Sequence, residues 1–336
     1  MNAMGDAYTA AGLLWFLIFV YAITSSVDFG ATFWRLVYLW RRRPEAERVA
    51  ERYVSALWET TNVFLVLIVV VLVGFFPQAS YALGTVMLLP VSLILGLLAL
   101  RGATLGFAYA GGRGARVLPY VSGATAVLLP ALLVLALPIS DGGFVSEVSG
   151  HLALHMGALF SSPTAYAYLA LGLSAGLFTS ATFLADYAAT AGERVAHRTY
   201  RRMALVFGPV MMVAGLAALG VLPETPWLWA RLITQWPWFL GSMACFALAL
   251  LILAGSGPPR WAVVAVGLQF SLADIGYGSA HSRYMLYPTV PTVAAFSSNV
   301  MFHDLLWVTL IGLGVLIPGF IWLWRLFVTD PRYTQH

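Results

Sequence analysis

The sequence predicts an all-α, polytopic membrane protein with nine transmembrane helices, organised as two four-helix bundles plus one further helix. Three observations carry that prediction. Hydrophobic residues make up 60% of the chain and charged residues 10%, with a mean hydropathy of +0.84; a soluble domain carries roughly 25% charged residues because its surface faces water. Apolar runs long enough to cross a bilayer, about 20 residues each, recur along the whole chain. The basic residues, all of them arginine, fall in alternate connections between those runs.

The apolar runs lie at 10–34, 54–76, 80–107, 117–138, 164–185, 203–222, 237–255, 261–280 and 304–328. Gly, Pro and charge clusters such as RRRPEAER, FFPQAS, AGGRGARVLP and PETPW separate them. The short alternating segments of a membrane β-barrel are not seen. Met1 to Tyr8 lacks a basic region, and Arg41-Arg42-Arg43 follows the first run, which marks a retained span rather than a cleaved signal peptide. With connections 1–2, 3–4, 5–6 and 7–8 and the C-terminus placed in the cytoplasm, every arginine except Arg231 and Arg283 is cytoplasmic. Positive charge is retained inside, so the N-terminus is expected outside and the C-terminus inside. The pI of 9.3 then reflects topology and contact with anionic lipid, not nucleic acid. Cys245 is the single cysteine, which excludes an intrachain disulfide and a cysteine-based metal centre.

A faint internal repeat supports the two-bundle organisation. The first run ends VDFGATFWR before an Arg-rich connection, and the fifth ends FLADYAATAGERVAHR before another. The expected units are 1–140 and 164–280, joined by an outer loop at 141–163. Residues 281–336 supply an outer loop, the ninth helix and a cytoplasmic tail.

Charge inside an apolar run is the strongest pointer to function, because burying a carboxylate in a bilayer costs about 2.5–3.5 kcal/mol or more. Asp28, Glu59, Asp186 and Asp274 lie inside or at the ends of runs. Asp28 follows Thr24, Ser25 and Ser26, and Glu59 precedes Thr60, Thr61 and Asn62. With the first span running inward and the second outward, both carboxylates fall at cytoplasmic depth among groups that hold water. One reading is a proton-entry route; the other is helix capping, or pairing with Arg35 or Arg52. Asp186 reads as a solvated helix end, and Asp274 as a polar contact to a neighbouring helix or subunit, or part of an ion path. Asp141 reads as an outer-loop acid.

Histidines give a negative result. His151 and His155 fall in the outer loop, His197 in an inner connection and His336 at the terminus, while His281 and His303 lie near outer span ends. A bis-histidine haem needs imidazoles projecting from facing helices, and no run carries a central histidine. Met87, Met203, Met211, Met212 and Met243 read as core packing. No Walker, HExxH, nucleophile-elbow or dinucleotide motif is present. The chain alone carries no complete catalytic apparatus. Trp residues cluster near span ends as an aromatic belt, and PWLWARLITQWPW reads as an outer interfacial segment.

The runs SSVDFGATF, SALWETTNVFLVLIVVVLVGFFP, LLALRGATLGFAY, ISDGGFV and YGSAHSRYMLYP resemble subunit II of cytochrome bd-type quinol oxidases, in the branch found in Gram-positive bacteria. The likeness covers the first span to the ninth, and W-E-x-x-N-V-F-L at its distance from D-F-G is the most specific part. The resemblance implies a partner, subunit I, that carries the b-type and d-type haems and the quinol-oxidising loop. It implies that this chain binds no haem, that quinol is oxidised at the outer face, and that cytoplasmic protons reduce dioxygen to water without pumping. A bound quinone or lipid and a small single-helix accessory subunit are compatible with it. Asp28 and Glu59 match the family's proton-route acids; Trp58, Asn62 and Arg101 match supporting positions, Arg101 as a structural anchor. The chain departs from many relatives in having Glu at 59 where they have Asp, Thr60-Thr61 where they have Gly-Asn, and Gly106 where some carry a carboxylate. Two other readings suit nine spans with buried acids: a proton-coupled transporter, and the quinone-binding anchor of another oxidoreductase. Carriers tend to break helices at the midplane of both repeats, whereas the Gly and Pro interruptions here lie mostly near span ends.

Overall fold

The structure, a computed structural model, describes residues 3–110, 117–148, 151–222, 225–255, 257–297 and 299–329. In chain order the helices are α1 (Ala3–Trp40), α2 (Pro44–Phe75), α3 (Pro77–Val86), α4 (Leu88–Ala110), α5 (Leu118–Val134) and α6 (Ala136–Ser140). An antiparallel pair follows, β1 (Val145–Val148) with β2 (His151–Leu154), then α7 (Met156–Ser161), α8 (Pro163–Thr190), α9 (Arg194–Val221) and α10 (Pro226–Thr234). The chain continues with α11 (Trp236–Ala254), α12 (Pro259–His281), the short pair β3 (Tyr284–Leu286) and β4 (Val290–Pro291), α13 (Thr292–Ala295) and α14 (Asn299–Thr329).

Proline sets many of the starts. It occupies the first or second position of α2, α3, α5, α8, α10, α11 and α12, where its missing N–H costs nothing and its fixed φ suits a helix. Ser162 adds a side-chain cap to α8 by accepting from the Thr164 N–H at 3.1 Å. Gly192, at φ +75°, closes the turn between α8 and α9, a left-handed conformation that glycine adopts without steric cost. Pro130, Pro209 and Pro318 lie within α5, α9 and α14, as membrane helices tolerate when neighbours re-satisfy the freed carbonyl.

Seven helical segments among the described residues are long and apolar enough to cross a bilayer, or eight if α3 and α4 count as one. The expected third span, 80–107, is in fact broken: α3 and α4 meet at an 84° bend. The cause is packing. Ala79, Ala82 and Val86 of α3 are buried, against segments that include β2, β3, β4 and α13. Its apolar face is therefore satisfied by protein rather than lipid, which an apolar run alone does not reveal. The first turns of α2 carry PEAERVAER, so its apolar part comes later in the helix, and Thr61–Phe75 is an apolar stretch at its C-terminal end.

The largest buried cluster joins α1 (Val27, Ala31, Trp34, Tyr38) and α2 (Ala46, Val49, Tyr53) to α8, α9, α11 and α12 at the arginine-rich end of the bundle. A second cluster joins Leu17 and Tyr21 of α1, Phe64 and Phe75 of α2, and Phe302 of α14 nearer the opposite end. Large apolar side chains such as Val66, Leu95, Val213, Leu251, Trp307 and Val315 stand more than half exposed, as a lipid-facing surface requires.

α1 and α8 approach closely at Gly30. A Cβ added at Gly30 would stand 2.1 Å from Ser180 Oγ and 3.0 Å from the Gly176 carbonyl. Trp34 Nε1 donates to the same Ser180 Oγ at 3.0 Å. Gly30→Ala therefore forces the helices apart or breaks the Trp34 bond, an overpacking cost of about 1–3 kcal/mol. The purified variant is expected to melt several degrees lower, whereas Gly12→Ala, with nothing within 4 Å of its Cβ, stays near wild type. Equal melting of the two variants would contradict this packing.

Candidate functional site

Asp28 sits in α1 one turn before Thr32, and Arg101 reaches it from α4. Arg101 Nη2 donates to Asp28 Oδ1 at 2.7 Å and to Thr32 Oγ1 at 2.8 Å, while Thr32 Oγ1 donates to the Asp28 carbonyl at 3.0 Å. The Arg101 guanidinium carbon lies 5.2 Å from the centre of the Phe29 ring, within cation–π range. Asp28 is 1% exposed and Arg101 0%. A charge this deep persists only when paired, so each residue accounts for the other. Arg101 Nε and Nη1 have no hydrogen-bond partner among the described residues, and the same holds for the buried hydroxyls of Tyr21 and Ser122.

Asp28 thus pairs with Arg101, and neither Arg35 nor Arg52 is its partner. Arg35 binds Glu51 at 2.5 Å and Arg52 approaches Glu193 at 3.4 Å. These surface pairs tie the connections at the arginine-rich end. Glu47 beside them is pushed above the usual carboxylate range, first by burial and then by the Glu51 charge, against the pull of Arg35 and Arg48. Trp58 and Glu59 lie in α2, but their side chains fall outside the described residues. Asn62 lines a shallow apolar groove between α2 and α14 with Val66, Val70, Gly312 and Leu316. Asp186 is half-buried, within electrostatic reach of Arg260. Asp274 is partly buried in α12.

A second buried carboxylate lies at the opposite end of the bundle, where sequence reasoning expected an ordinary loop acid. Asp141 follows α6 and is 3% exposed. Tyr168 of α8 donates to its Oδ2 at 3.2 Å, the Tyr277 hydroxyl of α12 lies 3.3 Å from both oxygens, and His281 Nδ1 stands 3.1 Å from Oδ1. The imidazole is close enough for an ion pair but is not aligned for an in-line hydrogen bond. Its ring stacks on Tyr277 and meets Trp15 and Trp227 at 5.6 and 5.7 Å. Trp227 of α10 donates to the Asp141 carbonyl at 3.2 Å and stacks on Tyr287 at 4.8 Å. Gly142 turns the chain at φ +90°, and a Cβ there would stand 2.0 Å from the Tyr287 carbonyl oxygen. The runs ISDGGFV and YGSAHSRYMLYP meet in this cluster. Arg231, an exception to the charge asymmetry, donates to the Ala280 carbonyl at 2.7 Å and so caps the C-terminal end of α12.

The described histidines lie near helix ends or in the β1–β2 segment. His281 faces Asp141 at a helix end, His197 Nδ1 engages the Ala185 carbonyl, and His155 engages Ser146 in the β1–β2 segment. His303 lies near the start of α14 against Phe302, and His151 is exposed in β2.

Long apolar helices with a buried ion pair among them define a polytopic membrane protein. Residues 7–327 match the family described as cytochrome bd terminal oxidase subunit II. A Bacillus subtilis (strain 168) protein assigned as a cytochrome bd menaquinol oxidase subunit II is 37% identical over 344 residues, covering 100% of this chain and 99% of that protein. The structure of bd oxidase from Geobacillus thermodenitrificans contains a chain that superposes with a TM-score of 0.85 at 33% identity, covering 97% of this chain and 99% of that one. The chain belongs to the cytochrome bd terminal oxidase subunit II family, and is a subunit of a respiratory oxidoreductase complex. The transporter reading, and that of an anchor for another oxidoreductase, are thereby set aside.

Proposed function

We propose that this chain pairs with a haem-bearing subunit I, binds no haem itself, and delivers cytoplasmic protons to the site where quinol-derived electrons reduce dioxygen. The observation that carries the proton role is the Asp28–Arg101 pair, fully buried and with guanidinium donors left over. An ionisable residue held within a bilayer is a functional-site hypothesis by default, with an ion path among the roles it marks. Glu59 is the second acid of the route, with Trp58, Asn62 and Arg101 in support. The b- and d-type haems belong to the partner and supply the electron transfer and oxygen chemistry there. Nine spans, the N-terminus outside and the C-terminus cytoplasmic, two four-helix units at 1–140 and 164–280, and the ninth helix in 281–336 complete the reading. Membrane lipids, a bound quinone and a single-helix accessory subunit are further partners compatible with it.

The test is purification of the tagged chain from native membranes. It is expected to bring down a second membrane subunit with b- and d-haem spectra, and to lose those spectra when separated from it. A stoichiometric low-spin b signal retained by the isolated chain would overturn the proposal.

A further inference from the structure

We infer that Tyr21 is a positioning residue of the proton route, its hydroxyl holding the internal water that takes the proton from Asp28 onward. This rests on the proton role proposed for Asp28. Tyr21 lies seven residues before Asp28 in α1, on nearly the same face and about 10 Å further toward the N-terminal end. The residue is 7% exposed, and its hydroxyl is buried without a hydrogen-bond partner among the described residues. It lies within reach of the charges of both Asp28 and Arg101.

Arg101 Nε and Nη1, on the guanidinium that holds Asp28, share that condition with the Tyr21 hydroxyl. Buried polar groups of this kind are almost always satisfied by protein or by ordered water. A water needs two to four polar partners, and a guanidinium edge and a phenol supply them. Tyr21 packs in the cluster that includes Phe64 of α2 and Phe302 of α14. That packing holds its ring in place. Transfer proceeds by exchange of O–H bonds. A proton arriving from the cytoplasmic side first protonates the Asp28 carboxylate. Its O–H then breaks as a water O–H forms, which restores the carboxylate beside Arg101. That water passes a different proton on, and the phenol accepts one hydrogen bond and donates another. The phenol ends as it began, and no electron moves. Arg101 fixes the waters without giving up a proton, since its guanidinium stays charged in proteins.

The experiment compares Tyr21→Phe and Asp28→Asn in the intact complex at equal haem content. Phe keeps the ring and removes only the hydroxyl. Turnover is expected to fall about three- to ten-fold, at the low end for a lost proton-transfer group. The solvent deuterium isotope effect is expected to rise and the quinol KM to stay unchanged. Tyr21→His, which returns a hydrogen-bonding ring, is expected to recover part of the rate. If Tyr21→Phe turns over with a wild-type rate and isotope effect while Asp28→Asn is slow, Tyr21 only packs and this inference fails alone. A His variant as slow as the Phe variant, both with full haem, also overturns it. If Asp28→Asn is itself at wild-type speed, the proton role fails first.

Discussion

Asp28→Asn is expected to slow oxygen reduction by the intact complex about ten-fold or more, the usual effect of losing a positioned proton-transfer group. Asn keeps an oxygen that can accept from Arg101 Nη2, so the 2.7 Å contact survives in form. What disappears is the exchangeable proton, together with the negative charge that compensates Arg101. The second loss is structural, because removing one member of a buried ion pair costs about 3–5 kcal/mol. The variant should therefore melt earlier as well as turn over slowly, and rates must be compared per haem. Restoring turnover by matching haem content would assign Asp28 to assembly alone. Glu59→Gln, the other acid of the proposed route, falls under the same expectation.

Asp141→Ala is expected to have a large effect on stability and little on turnover per haem. The substitution leaves the hydroxyls of Tyr168 and Tyr277 without their shared acceptor and removes the carboxylate facing His281. An uncompensated buried polar cluster of this kind costs about 3–5 kcal/mol. The cluster joins the segment after α6 to α8, α10 and α12, so limited proteolysis should open residues 140–162 and 282–297 before the helices yield. Asp141→Asn keeps one acceptor and should lose less. Unchanged melting and protease resistance in Asp141→Ala would show that the cluster does not hold this end together.

The sequence discloses what is local and hides what is distant. Long apolar runs and the asymmetry of the arginines are visible because each is a property of a segment. The break between α3 and α4 is not, since the decision between lipid and protein for Ala79, Ala82 and Val86 rests with distant partners such as β2 and α13. Asp28 is conspicuous as a charge in an apolar run, yet its partner lies 73 positions away in α4. Nearer arginines compete on spacing, and Arg35 and Arg52 prove to be engaged elsewhere. Asp141 gives no signal of burial, because an acid beside two glycines between apolar runs has the composition of a solvated turn. Only the convergence of Tyr168, Tyr277 and His281 removes it from water.

The most direct test of the central claim is time-resolved voltage generation by the reconstituted complex in liposomes after a single oxygen pulse. Wild type is expected to show a phase of charge separation fed by protons taken up from the side bearing the Arg-rich connections. In Asp28→Asn at equal haem content, that phase should slow about ten-fold or more while electron transfer among the haems keeps its rate. A voltage phase of unchanged rate in the variant, or proton uptake from the side of the Asp141 cluster, would contradict the account.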